Sequence, residues 1–469
     1  MEKPAGSTPS TCTTCRLPLW RWFLVGALTT ALALADGFVV ARDHLGRWDL
    51  QQERSQLCLI NYENGVERML VSVALSDLRG TGAAWIVPVP SAPDSAAIDI
   101  VKGFPTLAGT NIMARAERVV TRQFTRMCLM QLYPALFQPD PNRQAGIGPV
   151  YGLPDLTSEE VSVHSHKEEM GLTAELVTAE HPGAIFGYLT GKGVVLPEKA
   201  KPVLDKYRAD SFSFVVTWIS DSSAFMSQSM TARDYRRMTP ALGISVSFPT
   251  RRAYFPLRPT SVYGNAEVPM DLYVVNHVVP ALYGRIQYPG RRSTVDYFTQ
   301  PDYRIPAALH PFFNGRKYMR RLHYTRVHIR TQSFNLKHDL WFDPGPPRKV
   351  ACARVLNGYQ LLWVPLVFML CSCLASLIAG AFVLRRFRFP LLRQAGFGLW
   401  NLLTLAGFAA LTYVMTFREL RPNGDTSALD PPPSAGVGRK ILFILLFTVV
   451  FQVLLAGFYL TAKSAIGLS

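Results

Sequence analysis

Cysteine is scarce in this chain, with 7 among 469 residues, and acids are outnumbered, 33 Asp and Glu against 49 Lys and Arg. The first shortage excludes a disulfide-built scaffold. Only Cys58, Cys128 and Cys352 fall in the long polar region, so at most one intramolecular disulfide can form there, leaving one thiol over. The second leaves a formal net charge of +16, whose position along the chain matters more than its size. Catalytic signatures are missing as well. No His-Glu-x-x-His, Gly-x-Ser-x-Gly or EF-hand pattern occurs, which removes the zinc-protease, nucleophile-elbow and calcium-loop readings. Gly187 to Gly193 imitates a phosphate loop, but it is one residue short between its glycines and has no Ser or Thr after Lys192. Cys12 and Cys15 precede the first apolar segment, and a lone pair does not close a structural zinc site. No cofactor is implied.

What the chain does have is four apolar segments. One is N-terminal, residues 22–35, and three crowd the C-terminus at 361–384, 396–416 and 441–462. The first has Lys3, Arg16 and Arg21 ahead of it and Ala33-Leu34-Ala35 behind it, the order of parts in a secretory signal peptide cut after Ala35. An uncleaved anchor helix is the alternative, and both export the region 36–355. The other three are each long enough, at about 1.5 Å per residue, to cross a hydrocarbon layer of ~30 Å, and their interiors hold no charge. Arg385, Arg386, Arg388 and Arg393 place the link between the first two spans in the cytoplasm by the positive-inside rule. The expectation is a multi-pass cell-membrane protein with a large extracytoplasmic domain and its C-terminus inside. Ser372, Ser376 and Gly380 recur every fourth residue, a spacing that suits close packing within the bundle, with a membrane protein partner or in a homodimer. Transport by this chain alone is disfavoured, because Pro365 and Gln452 are the sole irregular features of the spans.

The exported region reads as an α+β domain with a mainly antiparallel β-sheet and short helices, followed by the three-helix transmembrane unit. Residues 56–62 and 67–75 are β-rich and flank Asn64-Gly65, a strong hairpin signal. A strand follows at 83–89, a helical or mixed region at 98–136, and a long loop at 137–154. A hairpin over 160–178 turns near Gly171, and short helices start after Pro182 and Pro197. Further strands are expected at 212–219, 242–248, 270–276 and 323–330. In the strand Trp85-Ile86-Val87-Pro88-Val89-Pro90, two prolines remove donors from one side, so it should sit at an edge or leave the sheet.

From Arg285 to Arg330 there are 10 Lys and Arg against Asp296 and Asp302, interleaved with aromatics. Arg285, Arg291, Arg292, Arg316, Lys317, Arg320 and Arg321 are the candidate binding residues, for anionic lipid at the bilayer or for an envelope polymer. A solvated face is the plainer reading of the same charges. Nucleic acid is excluded as a partner by the compartment. His164 and His166 share one side of a strand and are weak metal candidates, since no second ligand cluster accompanies them.

The run Ile60 to Glu67, then Trp85 to Pro90, with Ser213 to Val216 and Phe255 to Pro259 further on, resembles a prokaryotic domain-of-unknown-function family. Its exported members carry a Trp-hydrophobic-hydrophobic-Pro-Val-Pro signature. The resemblance implies an exported, membrane-tethered domain and carries over no catalytic residue. Two functions remain: a non-enzymatic binding or scaffolding protein at the cell envelope, or an extracytoplasmic hydrolase whose site is assembled from distant residues. A pocket gathering two or more of His164, His166, Glu168, Asp271 and His277 would favour the enzyme. A shallow surface with an exposed Trp or Tyr would favour binding.

Overall fold

The computed structural model describes residues 38–42, 47–51, 56–73, 82–130, 166–227, 238–287, 293–383 and 437–467. The expected export segment 1–35, the loop 137–154 and the span 396–416 lie outside the described residues. In chain order the strands are β1 (Phe38–Arg42), β2 (Trp48–Gln51), β3 (Gln56–Glu63), β4 (Val66–Val73), β5 (Ala83–Val89), β6 (Ala97–Pro105), β7 (Thr110–Asn111), β8 (His166–Glu169), β9 (Leu172–Val177), β10 (Ser213–Ile219), β11 (Met238–Pro249), β12 (Ala253–Phe255), β13 (Glu267–Val275), β14 (Val279–Pro280), β15 (Ser293–Arg304), β16 (Tyr318–Gln332) and β17 (Leu340–Asp343). The α-helices are α1 (Ile112–Met130), α2 (Ala184–Gly191), α3 (Lys201–Ala209), α4 (Ser222–Met226), α5 (Arg348–Gly358), α6 (Gln360–Val383) and α7 (Val437–Ala465).

The α+β expectation holds for the polar region. A 6-stranded sheet in the order β2-β1-β5-β10-β9-β8 faces an 8-stranded sheet in the order β6-β11-β4-β3-β13-β16-β15-β7, and a 3-stranded sheet, β12-β17-β14, lies beside them. The described strand pairings are antiparallel except that of β3 with β13, and an isolated parallel bridge joins Asn276 and Tyr324. Side chains alternate across a strand. Cys58, Ile60, Met69 and Val71 therefore enter the core shared with Phe38, Trp85 and Phe214. Their neighbours Leu59 and Leu70 join Phe312, Phe313 and Tyr324 in a second core on the opposite face. A sheet covered on both faces needs apolar residues at successive positions, which is why β3 and β4 read as continuous hydrophobic runs.

The Asn-Gly hairpin forms as expected. Asn64 and Gly65 have φ of 56° and 78°, both positive, as a two-residue turn between β3 and β4 requires. Residues 166–169 and 172–177 turn at Met170-Gly171. The 98–136 region resolves differently, into β6 and α1. The Pro strand also departs from expectation, because β5 lies inside its sheet between β1 and β10 and all seven of its residues are buried. Pairing with β1 ends at Phe38↔Ile86, while β10 continues to Ser213↔Val89. Among the described residues, Val87, Pro88 and Val89 thus pair on one side only, so the missing donor of Pro88 breaks no ladder.

The C-terminal unit needs correction. Among the described residues one helix is long and apolar enough to cross a membrane, α7 over Leu445–Ala465, with mean hydropathy 2.1. A second counts only if α5 and α6, which meet at 87°, form one broken span. Helices α6 and α7 run antiparallel: Trp363 meets Phe458 at 5.7 Å and Phe368 meets Phe451 at 5.4 Å between ring centroids. The small residues Cys371, Ala375 and Ala379 are buried there against Phe447 and Phe451, letting the helices approach closely. At its end α7 returns to the polar domain, where Ile466 packs with Ala353. Three alternating crossings would have made the first and last helices parallel. Cys128 and Cys352 are free thiols.

Gly171 is the turn on which the β8–β9 hairpin and α4 both depend. Its φ is +77°, and a Cβ there would lie 2.3 Å from the Asp221 carbonyl and 2.6 Å from the Phe225 nitrogen. Asp221 in turn caps α4 through the amides of Ser223 and Ala224. Gly171→Ala should therefore cost about 2 kcal/mol or more, and lower the melting temperature by roughly 5 °C. Melting of the variant within a degree of wild type would show that the turn relaxes without penalty.

Candidate functional site

Residues far apart in the chain meet at one cleft. Gly65 comes from the β3–β4 turn, Pro90 from the exit of β5, Pro249, Thr250 and Arg251 from the end of β11, and Trp341 from β17. Together they line a shallow depression of about 510 Å³ that opens broadly to solvent. The Trp341 ring packs on Tyr254 at 4.9 Å and carries the Arg252 guanidinium 5.6 Å above its centroid. Arg252 is also held by Asp343 at 3.0 Å. An aromatic face and the exposed Arg251 and Arg252 are therefore adjacent at the rim.

The segment bearing those arginines is tied down from beneath. Tyr62 donates its hydroxyl to the carbonyls of Thr250 and Arg251 at 3.1 and 2.9 Å, and Thr250 donates its amide to Gly65 at 2.9 Å. Glu67, fully buried, accepts the Tyr254 amide on Oε2 at 2.7 Å, while its Oε1 has no partner. Burial pushes the Glu67 carboxyl well above the usual carboxylate range, only partly offset by the Tyr254 amide. On the far side, Asp339 accepts the Tyr207 hydroxyl at 2.5 Å and the Arg258 amide at 3.0 Å. The Arg258 guanidinium reaches Asp339 at 3.4 Å and Asp210 at 3.2 Å while stacking over Tyr207. This network explains Arg258 in the Phe255 to Pro259 block. Its acid partners are 48 and 81 residues away, which hid it from a local reading.

The residues singled out earlier lie in several places. Trp85 and Pro88 are buried in β5, and Pro90 alone of the signature residues reaches the cleft. His164, Arg291 and Arg292 lie outside the described residues, as does the side chain of Arg285. Arg316 pairs with Glu63. Lys317, Arg320 and Arg321 are exposed, but Arg320 and Arg321 are consecutive in β16 and point to opposite faces. The basic stretch is thus divided between surfaces.

Among the described residues the enzyme candidates remain apart. His166 binds Glu175 at 2.9 Å, and Asp271 holds Arg326 at 2.7 Å and His328 at 3.1 Å. His277 lies six residues beyond Asp271, about 20 Å of extended chain. It is buried, with Nε2 on the Phe298 carbonyl at 2.9 Å, Nδ1 facing the Arg354 guanidinium of α5, and the His323 ring 5.1 Å away. Burial first, then Arg354 and His323, lower its pKa to about 4. It is accordingly neutral at pH 7. Among the described residues, no group of three or more His, Cys, Asp and Glu could hold a metal ion.

An α+β domain of three sheets with an open aromatic and basic cleft, joined to apolar C-terminal helices, is the class these features define. The chain belongs to the family described as an uncharacterized protein conserved in bacteria, DUF2330, whose model matches residues 31–302. No curated protein and no solved structure matches the chain.

Glu67 and His277 give the fold opposite pH limbs. A carboxyl raised on folding takes up its proton more readily when folded, so its contribution is lost as pH rises from the usual carboxylate range toward the folded pKa. A histidine lowered from 6.5 to about 4 has the reverse effect, and stability falls as pH drops through that interval. Each slope is limited to about 1.4 kcal/mol per pH unit. In urea titrations Glu67→Gln should be more stable than wild type at pH 8 and not at pH 4, and His277→Gln should flatten the acid limb. Curves that stay parallel to wild type would remove these two groups from the linkage.

Proposed function

We propose that this chain is a non-enzymatic binding protein of the bacterial envelope, exported by its N-terminal apolar segment and anchored by a helical hairpin of α6 and α7. The observation that carries the reading is the cleft beside Trp341: shallow, floored by a fixed backbone, and lined by an aromatic face, two prolines and Arg251. Such a surface suits an extended, weakly anionic envelope polymer, which can stack on Trp341 and meet the arginines at the rim. Anchoring is supported by an apolar stripe along α6, where Leu362, Leu366 and Leu370 are 63, 53 and 59% exposed, and by Leu445, Val449 and Val453 of α7 at 57, 58 and 64%. Rows of this kind are poorly suited to water and well suited to lipid.

Bacterial peptidoglycan sacculi provide the probe. The full-length protein in detergent should sediment with sacculi, and Trp341→Ala should weaken that binding about tenfold, the loss expected for one stacking aromatic. Equal sedimentation of both proteins would remove the cleft from the reading, and release of soluble fragments would replace binding by hydrolysis. Orientation has its own check. Alkaline phosphatase joined after α7 should be as active as a fusion at Gly345, because the hairpin brings the end of α7 back to the exported side. An inactive C-terminal fusion would restore three crossings.

A further inference from the structure

Helix α1 connects the polar domain to the apolar helices, and its two sides differ. Met127, Phe124 and Cys128 pack among Phe368, Phe451 and Leu455, and Phe124 stacks on Tyr459 at 4.5 Å. Ile112 and Ala116 pack with Ala353 of α5 and Ile466 at the end of α7. Contacts of Glu117 with Lys463 at 3.8 Å and of Gln452 with the Cys128 carbonyl at 3.5 Å show that α1 runs antiparallel to α7. Away from this packed side lie Arg115, Arg118, Arg122 and Arg126. At 3.6 residues per turn these four fall within an arc of about 80°. Arg115, Arg118 and Arg122 are exposed and Arg126 half-buried, and Glu117 is the single acid of the helix.

The height of this row is fixed by its neighbours. Gln123 donates to Gln360 at 3.2 Å, where α6 starts. The exposed leucines of α6 start at Leu361, and Leu460 of α7 is exposed near the same level. Tyr359, Trp363 and Tyr459 surround that level, and aromatic rings of this kind gather where hydrocarbon meets headgroups. At about 1.5 Å per residue, Arg115 stands roughly 12 Å above Gln123, and Arg126 lies roughly 5 Å below it. The row therefore straddles the boundary, with long side chains able to reach phosphates from either side.

We infer that the arginine face of α1 is a binding surface for anionic phospholipid headgroups. The inference rests on the membrane anchoring proposed above, and adds a site and a lipid charge class to it. It also moves the lipid contact from the divided 285–330 stretch to one helical face. Four basic side chains on one face beside an anionic surface are sufficient for a preference of about tenfold.

The test uses the full-length protein in detergent, titrated with phosphatidylglycerol or phosphatidylcholine and read by native mass spectrometry. Wild type should retain phosphatidylglycerol about tenfold more strongly, and the preference should shrink with added salt. The variant Arg115→Gln, Arg118→Gln, Arg122→Gln, Arg126→Gln should lose it while melting like wild type. The milder pair Arg118→Gln, Arg122→Gln should lose part of it, which keeps the test decisive if the fourfold variant unfolds. A preference unchanged in the pair, or absent or salt-insensitive in wild type, overturns the inference. So does uptake of soluble dextran sulfate in place of phosphatidylglycerol, which would assign the face to a polymer. Anchoring fails separately, if alkaline carbonate releases the protein from membranes.

Discussion

An eight-stranded sheet covered on both faces imposes one requirement from which much of this molecule follows: its central strands must be apolar at consecutive positions and cannot slip. In β3, Cys58 and Ile60 serve one core while Leu59 serves the other. A shift of one residue would exchange the two sets and send Asn61, whose side chain donates to the Phe312 carbonyl at 2.8 Å, toward the opposite core. The Asn64-Gly65 turn pins that register, and the same turn provides one wall of the cleft. Site and core are thus held by the same hairpin.

Prolines in the middle of a sheet look like a contradiction, and β5 shows how it is resolved. The strand is paired on both sides from Ala84 to Ile86, and on one side where its prolines lie. A sequence pattern can reveal that one side loses its donors. It cannot reveal that the neighbouring strand β1 ends at the same level, which leaves Pro88 beside a single ladder. Pro90 then steers the chain out beside Gly65, turning a pairing limit into a surface.

Legibility followed the range of the causes. The β3–β4 and β8–β9 turns depend on Asn64, Gly65 and Gly171, and local preference for positive φ exposes them. In β6 the alternation of buried Ile98 and Ile100 with exposed Ala97 and Asp99 is a strand signal, yet α1 follows within a few residues, and the two signals blend in one window. β15 was hidden because only Ser293, Tyr297 and Tyr303 of its residues are buried, leaving a strand that resembles charged surface. The cleft could not be read locally at all. Trp341 lies 251 residues from Pro90, and nothing near it announces a partner.

The junction between the polar domain and the apolar helices joins two different kinds of surface, and its chemistry reflects that. Arg354 enters from α5 with a neutral histidine as its partner, and its Nε is buried without one. A protonated His277 would place two cations together in a poorly solvated seam, and its lowered pKa keeps that state from forming at neutral pH. Packing carries the rest: α1 is wedged against α5, α6 and α7, so the end of α7 is fastened to the domain from which α6 departs. Contacts of Ile466 with Ile112, Ala116 and Ala353 hold that end in place.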